Sequence, residues 1–287
     1  MTKPRTFRHP LLSTVLLAAL AAGCGGDNPE SLIASGKEFL AKNDNKAATI
    51  QLKNALQQNP NLGEARFLLG KALLASGDMA GAEIELRKAL ELKYPTDQTV
   101  PLLARALLGT GQAKKVTDEF ASFELPIGEP AASLKTTLSQ AYLAQGNSDA
   151  SATALAAALA AQPDYAPALL ASARKIASNK DISGALIVVE GILSKAPDNH
   201  EALLLKGSLL GAQGDQSAAL GFYHKAVDAR PDFLLAHYAI IGSLLQQGKL
   251  DDAAKQVDAL KKIAPKHPQT VFLETQLAYQ RKDYNAA

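Results

Sequence analysis

The chain holds 287 residues, with 30 Lys and Arg against 28 Asp and Glu, one cysteine and no tryptophan. A formal net charge of +2, without a long run of one sign, offers nucleic acid no basic face. A lone cysteine leaves no disulfide framework within the chain.

Lys3, Arg5 and Arg8 give the N-terminus a positive start, and Leu11 to Leu20 form a ten-residue apolar stretch. That stretch is well short of the roughly 20 residues a helix needs to span a bilayer. It predicts a cleavable secretion signal over residues 1–23. Ala21-Ala22-Gly23 leads into Cys24. This run resembles the lipobox of bacterial lipoproteins, with Ala21 standing where leucine is usual. The resemblance implies lipidation of Cys24, with residues 24–29 as a tether. It also implies a diacylglycerol and often a further acyl chain, and two chains anchor stably where one does not. Gly25 after the cysteine implies the periplasmic face of the outer membrane in a Gram-negative bacterium. The alternative is an ordinary signal with a chance cysteine near its end.

From residue 30 onward the chain is periodic. Pro163, Pro197, Pro231 and Pro265 each follow the last by 34 residues, and Pro60 lies one residue off that grid. Units start near Pro29, Gly63, Asp97, Ala132, Ala166, His200, Leu234 and Pro268. The eighth place of the unit is small in Gly36, Gly70, Ala104, Ser139, Ala173 and Gly207, then breaks at Ile241 and Thr275. The twentieth is Ala48, Ala82, Val116, Ser151, Ala185, Ala219, Ala253 and Ala287. The twenty-fourth is large, as in Leu52, Leu86, Phe120, Leu155, Val189, Tyr223 and Val257, and is expected to fill the gap between neighbouring helix pairs. Glycines at 77, 111, 146, 214 and 248 mark turns between two helices of one unit, and the prolines end the second helix. Each unit therefore predicts two helices of about 12 to 15 residues.

This pattern resembles the tetratricopeptide repeat, a 34-residue helix–turn–helix unit. The fullest copy is His200 to Asp232; the most degenerate is Asp97 to Ala131, where Val116 and Phe123 replace expected alanines. The resemblance implies an all-α, right-handed superhelical solenoid over residues 30–287, with seven repeats and a truncated eighth. Pro126, Gly128 and Pro130 predict a helix break and a weak junction between the third and fourth units. The eighth unit reaches only its first helix before Ala287, so the array is expected to continue, with Leu273, Leu277 and Tyr279 uncovered.

Chemistry-bearing motifs are few. His200-Glu201 begins like a zinc-protease motif, but Leu204 stands where the second histidine belongs. Gly109 to Lys115 glances toward a phosphate loop, yet lacks its spacer and follows a helix. Asp251-Asp252 falls at a helix start, where acidic groups suit the helix dipole. No catalytic residue, cofactor or metal is predicted. By resemblance, the first helices line a concave groove whose exposed positions include Lys37, Phe67, Lys71, Gln140, Arg174, Tyr238, Phe272 and Tyr279. Aromatic and arginine side chains are the usual interface anchors. The groove lacks the asparagines with which chaperone-binding arrays clamp a terminal carboxylate, so that ligand is not predicted.

Four stretches carry a narrower resemblance: residues 43–48 (NDNKAA), 51–57 (QLKNALQ), 64–71 (EARFLLGK) and 100–107 (VPLLARAL). With the lipobox-like start they resemble the large tetratricopeptide-repeat lipoprotein of PEP-CTERM/exosortase gene clusters (the PrsT type), whose members are much longer. That resemblance implies a non-enzymatic periplasmic scaffold for proteins of the cell envelope. It links the scaffold to exopolysaccharide biosynthesis or export, or to PEP-CTERM protein sorting. The alternatives are a scaffold lipoprotein of another envelope-assembly system, and the N-terminal repeat region of a longer enzyme.

Overall fold

The computed structural model describes residues 28–283. The expected signal over residues 1–23, Cys24 and Ala287 lie outside them. Among the described residues every regular element is an α-helix. In chain order these are α1 (Pro29–Ala41), α2 (Asn45–Gln58), α3 (Gly63–Ala75), α4 (Met79–Glu91), α5 (Thr96–Gly109), α6 (Ala113–Phe120), α7 (Glu129–Ala144) and α8 (Ser148–Ala161). They continue with α9 (Ala166–Ser178), α10 (Ile182–Lys195), α11 (His200–Ala212), α12 (Gln216–Ala229), α13 (Leu234–Gln246), α14 (Leu250–Ile263) and α15 (Pro268–Gln280). No described helix is long and apolar enough to cross a membrane.

The described residues fall into two compact units, the first ending at Ala106 and the second starting at Leu107. The division falls inside α5, not at the expected break before α7. In the first unit α1 packs on α2, α2 on α3 and α3 on α4, with a lesser contact of α1 with α3. In the second unit each helix from α6 to α15 packs on the next in the same way. Contacts confined to near neighbours are what a stack of helix pairs produces.

Six predicted unit starts coincide with helix starts. The other two differ slightly: α5 begins at Thr96, and α7 begins at Glu129. Pro130 lies in the first turn of α7, where its missing N–H removes no helical bond. The predicted break is present, for α6 stops at Phe120 and the chain runs non-helically to Gly128 (φ 124°). The third and fourth repeats are nonetheless tied together. Gln145 Nε2 donates to the Ala113 carbonyl and to Thr117 Oγ1, both at 3.2 Å, and Lys135 pairs with Glu124 at 3.2 Å.

One turn recurs in every repeat. The fifteenth place has positive φ at Asn43, Gly77, Gly111, Gly146, Lys180, Gly214, Gly248 and Lys282. The N–H that follows it closes back on the eleventh place: Asp44 on Phe39, Asp78 on Leu73, Gln112 on Leu107, Asn147 on Tyr142, Asp181 on Ile176, Asp215 on Leu210, Lys249 on Leu244 and Asp283 on Ala278. Glycine takes the left-handed conformation without strain, whereas Asn43, Lys180 and Lys282 are held in it by the turn. Asp44, Asp78, Asn147, Asp181 and Asp215 then cap the second helix, each accepting from the N–H three residues on.

The small eighth place has a specific cause. A Cβ at Gly36 would lie 2.8 Å from Leu52 Cγ, and one at Gly70 would lie 2.6 Å from Leu86 Cγ. One at Gly207 would lie 2.5 Å from Tyr223 Cε1 and 2.9 Å from the Ala219 carbonyl oxygen. The large twenty-fourth residue thus lies over the eighth place of its own helix pair. It also packs against the next pair, as expected: Leu155 clusters with Ala168, Val189 with Leu205 and Leu209, and Tyr223 with Ile240 and Ile241. In the fourth repeat the small places are Ser139 and Ser151, whose buried hydroxyls bond each other at 3.0 Å. Ala219 is fully buried, as its register requires.

Candidate functional site

The residues expected to line a groove sit on first helices, held by the turns and small contacts just described. In the first unit Lys37 on α1 and Lys71 on α3 are exposed at the ninth place of their repeats. Lys37 Nζ reaches Glu64 Oε1 at the start of α3, 2.8 Å away. Phe67 departs from expectation: it is buried, and its ring stacks on Tyr94 with centroids 4.7 Å apart. Tyr94 comes from the segment leading into the next repeat, a position the helical register could not pair with Phe67. Burial raises the Tyr94 phenol above its ordinary pKa, Glu64 adds to the rise, and Lys37 opposes it. Lys37, Glu64, Tyr94 and Phe67 therefore form one mixed ionic and aromatic surface. Behind it, Arg66 Nη1 bonds Glu85 at 2.6 Å while its Nε and Nη2 donate to the Pro60 carbonyl.

In the second unit Gln140 on α7 and Arg174 on α9 are exposed at the same ninth place. Tyr238 on α13 is half-buried, and its hydroxyl donates to His267 Nδ1 at 2.8 Å. His267 Nδ1 also accepts from the Gln269 N–H at 3.2 Å, so it caps α15. Burial raises the Tyr238 pKa, an effect the nearby Thr270 hydroxyl opposes. Phe272 and Tyr279 on α15 are open to solvent, at 59% and 66% exposure. Leu273 and Leu277, expected to lie uncovered, are buried against the preceding repeat; Val271 is the exposed aliphatic side chain instead. His237, unremarked in the sequence, donates from Nε2 to the Pro231 carbonyl at 2.9 Å and so fixes the linker ahead of α13.

Among the described residues no group of three or more His, Cys, Asp or Glu could hold a metal ion. His200 lies at the start of α11, with its ring edge against Phe233 and its Nε2 3.3 Å from Arg230 Nη1. Since arginine can only donate, that nitrogen is the acceptor. Gly111, in the stretch resembling a phosphate loop, is the turn glycine between α5 and α6.

Comparison with known proteins agrees with this architecture. A crystal structure of a tetratricopeptide repeat protein from Parabacteroides merdae ATCC 43184 superposes with a TM-score of 0.60 at 17% identity, covering 89% of this chain and 100% of that one. The Cut9-Hcn1 hetero-tetramer of the APC/C superposes at 0.56 and 13% identity, over 76% of this chain and 43% of that one. Both likenesses concern the fold. Cellulose synthase operon protein C of Pseudomonas fluorescens (strain SBW25) is 30% identical over 81 residues, 28% of this chain and 6% of that protein. The match thus spans a small part of that relative's length. Tetratricopeptide-repeat family profiles match residues 39–98 and 211–277, and residues 136–200 and 177–232. Together they cover more than half of an all-α stack of helix pairs, and the chain belongs to the tetratricopeptide-repeat family.

Proposed function

We propose that this chain is a non-enzymatic scaffold that holds protein partners at the cell envelope, anchored through a lipidated Cys24 at the periplasmic face of the outer membrane. The observation that carries the scaffold reading is the treatment of the first helices. Apart from Ser31 and Thr275, their third and eighth places are packed away, while the ninth keeps Lys37, Lys71, Gln140 and Arg174 at the surface. A fold that spends its packing on presenting one helix face suits recognition rather than catalysis.

The match to a cellulose synthase operon protein favours a role in exopolysaccharide biosynthesis or export. The narrower PEP-CTERM/exosortase assignment rests on the resemblance of residues 43–48, 51–57, 64–71 and 100–107. The test has two arms. Cys24→Ser is expected to release the chain into the soluble periplasmic fraction with loss of lipid label; retention in the membrane would contradict the anchor. Lys71→Glu with Arg174→Glu is expected to abolish co-purification of envelope proteins from crosslinked membranes while helical content stays unchanged. Undiminished co-purification would contradict the assigned face.

A further inference from the structure

The ninth place of the first helices carries a different chemistry in each unit. In the first unit it holds a cation on each first helix: Lys37 on α1, Lys71 on α3 and Arg105 on α5, all exposed. In the second unit it holds Gln140, Arg174, Ser208, Gly242 and Gln276. Positive charge at this place is therefore concentrated in the first unit.

The three cations of the first unit are not equivalent. Lys37 Nζ lies 2.8 Å from Glu64 Oε1, so the ninth place of one first helix reaches the second place of the next. On α5 that second place is Gln98, an exposed amide rather than a carboxylate. Lys71 thereby lacks the partner that Lys37 has. Among the described residues the side chains of Lys71 and Arg105 enter no ion pair and no side-chain hydrogen bond.

The neighbouring carboxylates are committed elsewhere. Glu64, the acidic residue of α3, is held by Lys37. Glu85 and Glu83 of α4 are held by Arg66 and Arg87. Asp97 of α5 lies in the first turn, about 12 Å of helix axis before Arg105. Beside Lys71, one turn on along α3, stand the half-buried Leu74 and the exposed Ala75. They form a low apolar shelf on which a chain can lie close to the ammonium group.

We propose that the Lys71 and Arg105 face of the first unit docks an acidic, extended segment of a partner protein, with carboxylates three residues apart. This rests on the scaffold reading above and adds the chemistry of what is held. Successive packed helices lie about 10 Å apart. A chain in the polyproline II conformation, a major conformer of unordered segments, returns to the same face every three residues, about 9 Å on. Two acidic side chains at that interval therefore meet one free cation on α3 and one on α5.

The probe is a fluorescent peptide, acetylated and amidated, with two glutamates three residues apart and otherwise neutral. Its binding to the whole protein is read by anisotropy in low-salt buffer, where screening is weakest. Glutamine in place of both glutamates is expected to weaken binding about tenfold, and Lys71→Gln or Arg105→Gln about threefold each. Moving the glutamates next to each other is expected to cost about threefold as well. Gln98→Glu supplies Lys71 with the internal partner that Glu64 supplies to Lys37, and a similar loss is expected from an exposed site that removes no packing. Lys53→Gln, at an exposed cation on α2, is expected to change nothing. Equal affinity for the glutamate and glutamine peptides, or for the spaced and adjacent pairs, overturns the proposal. So does an equal loss in Lys53→Gln, or binding that requires a free C-terminal carboxylate. An acidic polysaccharide that binds more tightly with the same dependence on Lys71 and Arg105 also overturns it. Crosslinks from Lys71 to envelope proteins in cells, without a glutamate preference in vitro, would reject the acidic partner and leave the scaffold reading standing.

Discussion

Replacing Gly207 by alanine sets two opposing effects against each other, and the geometry decides between them. In an exposed helix interior, glycine to alanine stabilises by about 1 kcal/mol, because the unfolded chain loses less freedom. At Gly207 the added methyl meets the Tyr223 ring at 2.5 and 2.6 Å and the Ala219 carbonyl oxygen at 2.9 Å. The ring can swing aside, but the carbonyl belongs to the backbone of α12 and moves only with the helix. Overpacking of this kind costs about 1–3 kcal/mol. After the propensity gain, Gly207→Ala is expected to destabilise its repeat by about 1 kcal/mol. Gly221 is the control, since a Cβ there meets nothing within 4 Å and Gly221→Ala should stabilise. Amide exchange in α11 and α12 is the assay, because a repeat array opens locally and one melting temperature blurs the effect. Adding Tyr223→Val copies the fifth repeat, where Ala173 and Val189 hold the two places and both are fully buried. The double variant should therefore lose less than the two single losses combined, a coupling of about 1 kcal/mol. Faster exchange in Gly221→Ala than in Gly207→Ala, or additive losses in the double variant, would refute the packing account.

Three further outcomes are expected. Lys180→Gly should stabilise the turn between α9 and α10 by about 0.5–1 kcal/mol, because lysine holds φ 68° there, and denaturant titration reads this directly. Burial lowers the His200 pKa below its ordinary 6.5, with Glu201 opposing and Arg230 reinforcing. The folded state therefore binds this proton less well than the unfolded one. The contribution is present above 6.5 and lost as pH falls through the folded value. His200→Gln should flatten the stability profile in that acidic window, and an unaltered profile would exclude His200 as its source. Under native conditions chymotrypsin and a glutamate-specific protease should first cut at Phe123 and Glu124, beside Ile127 at 87% exposure; earlier cleavage in the α9–α10 turn would argue otherwise.

The period, the unit starts and the small contacts were legible because each is a local constraint written into one repeat and copied into the next. Gly36 and Gly70 stand where leucines press, so the small residue and its large partner recur together. The turns at Asn43, Lys180 and Lys282 were not legible. Neither Lys180 nor Lys282 signals positive φ; the closing bond to the eleventh place imposes it. Phe67 was misjudged for a related reason. Its neighbour Tyr94 comes from a linker 27 residues on, outside the 34-residue grid that places everything else. The division inside α5 falls at Ala106, past Pro101, the proline inside that helix, whereas the repeat register had pointed to the break before α7. The exposure of Lys71 in the first unit and of Arg174 in the second follows from the ninth place of the repeat, but what either binds is set by the partner's surface.

The measurement that bears most directly on the scaffold reading is site-specific photo-crosslinking in intact cells. The crosslinker replaces Lys71 and Arg174 on the first-helix face, and Lys53 and Ile187 on second helices as exposed controls. Discrete crosslinks to envelope proteins from Lys71 and Arg174, with none from Lys53 and Ile187, are the predicted result. Equal labelling from all four positions, or crosslinks from the second-helix positions alone, would contradict it.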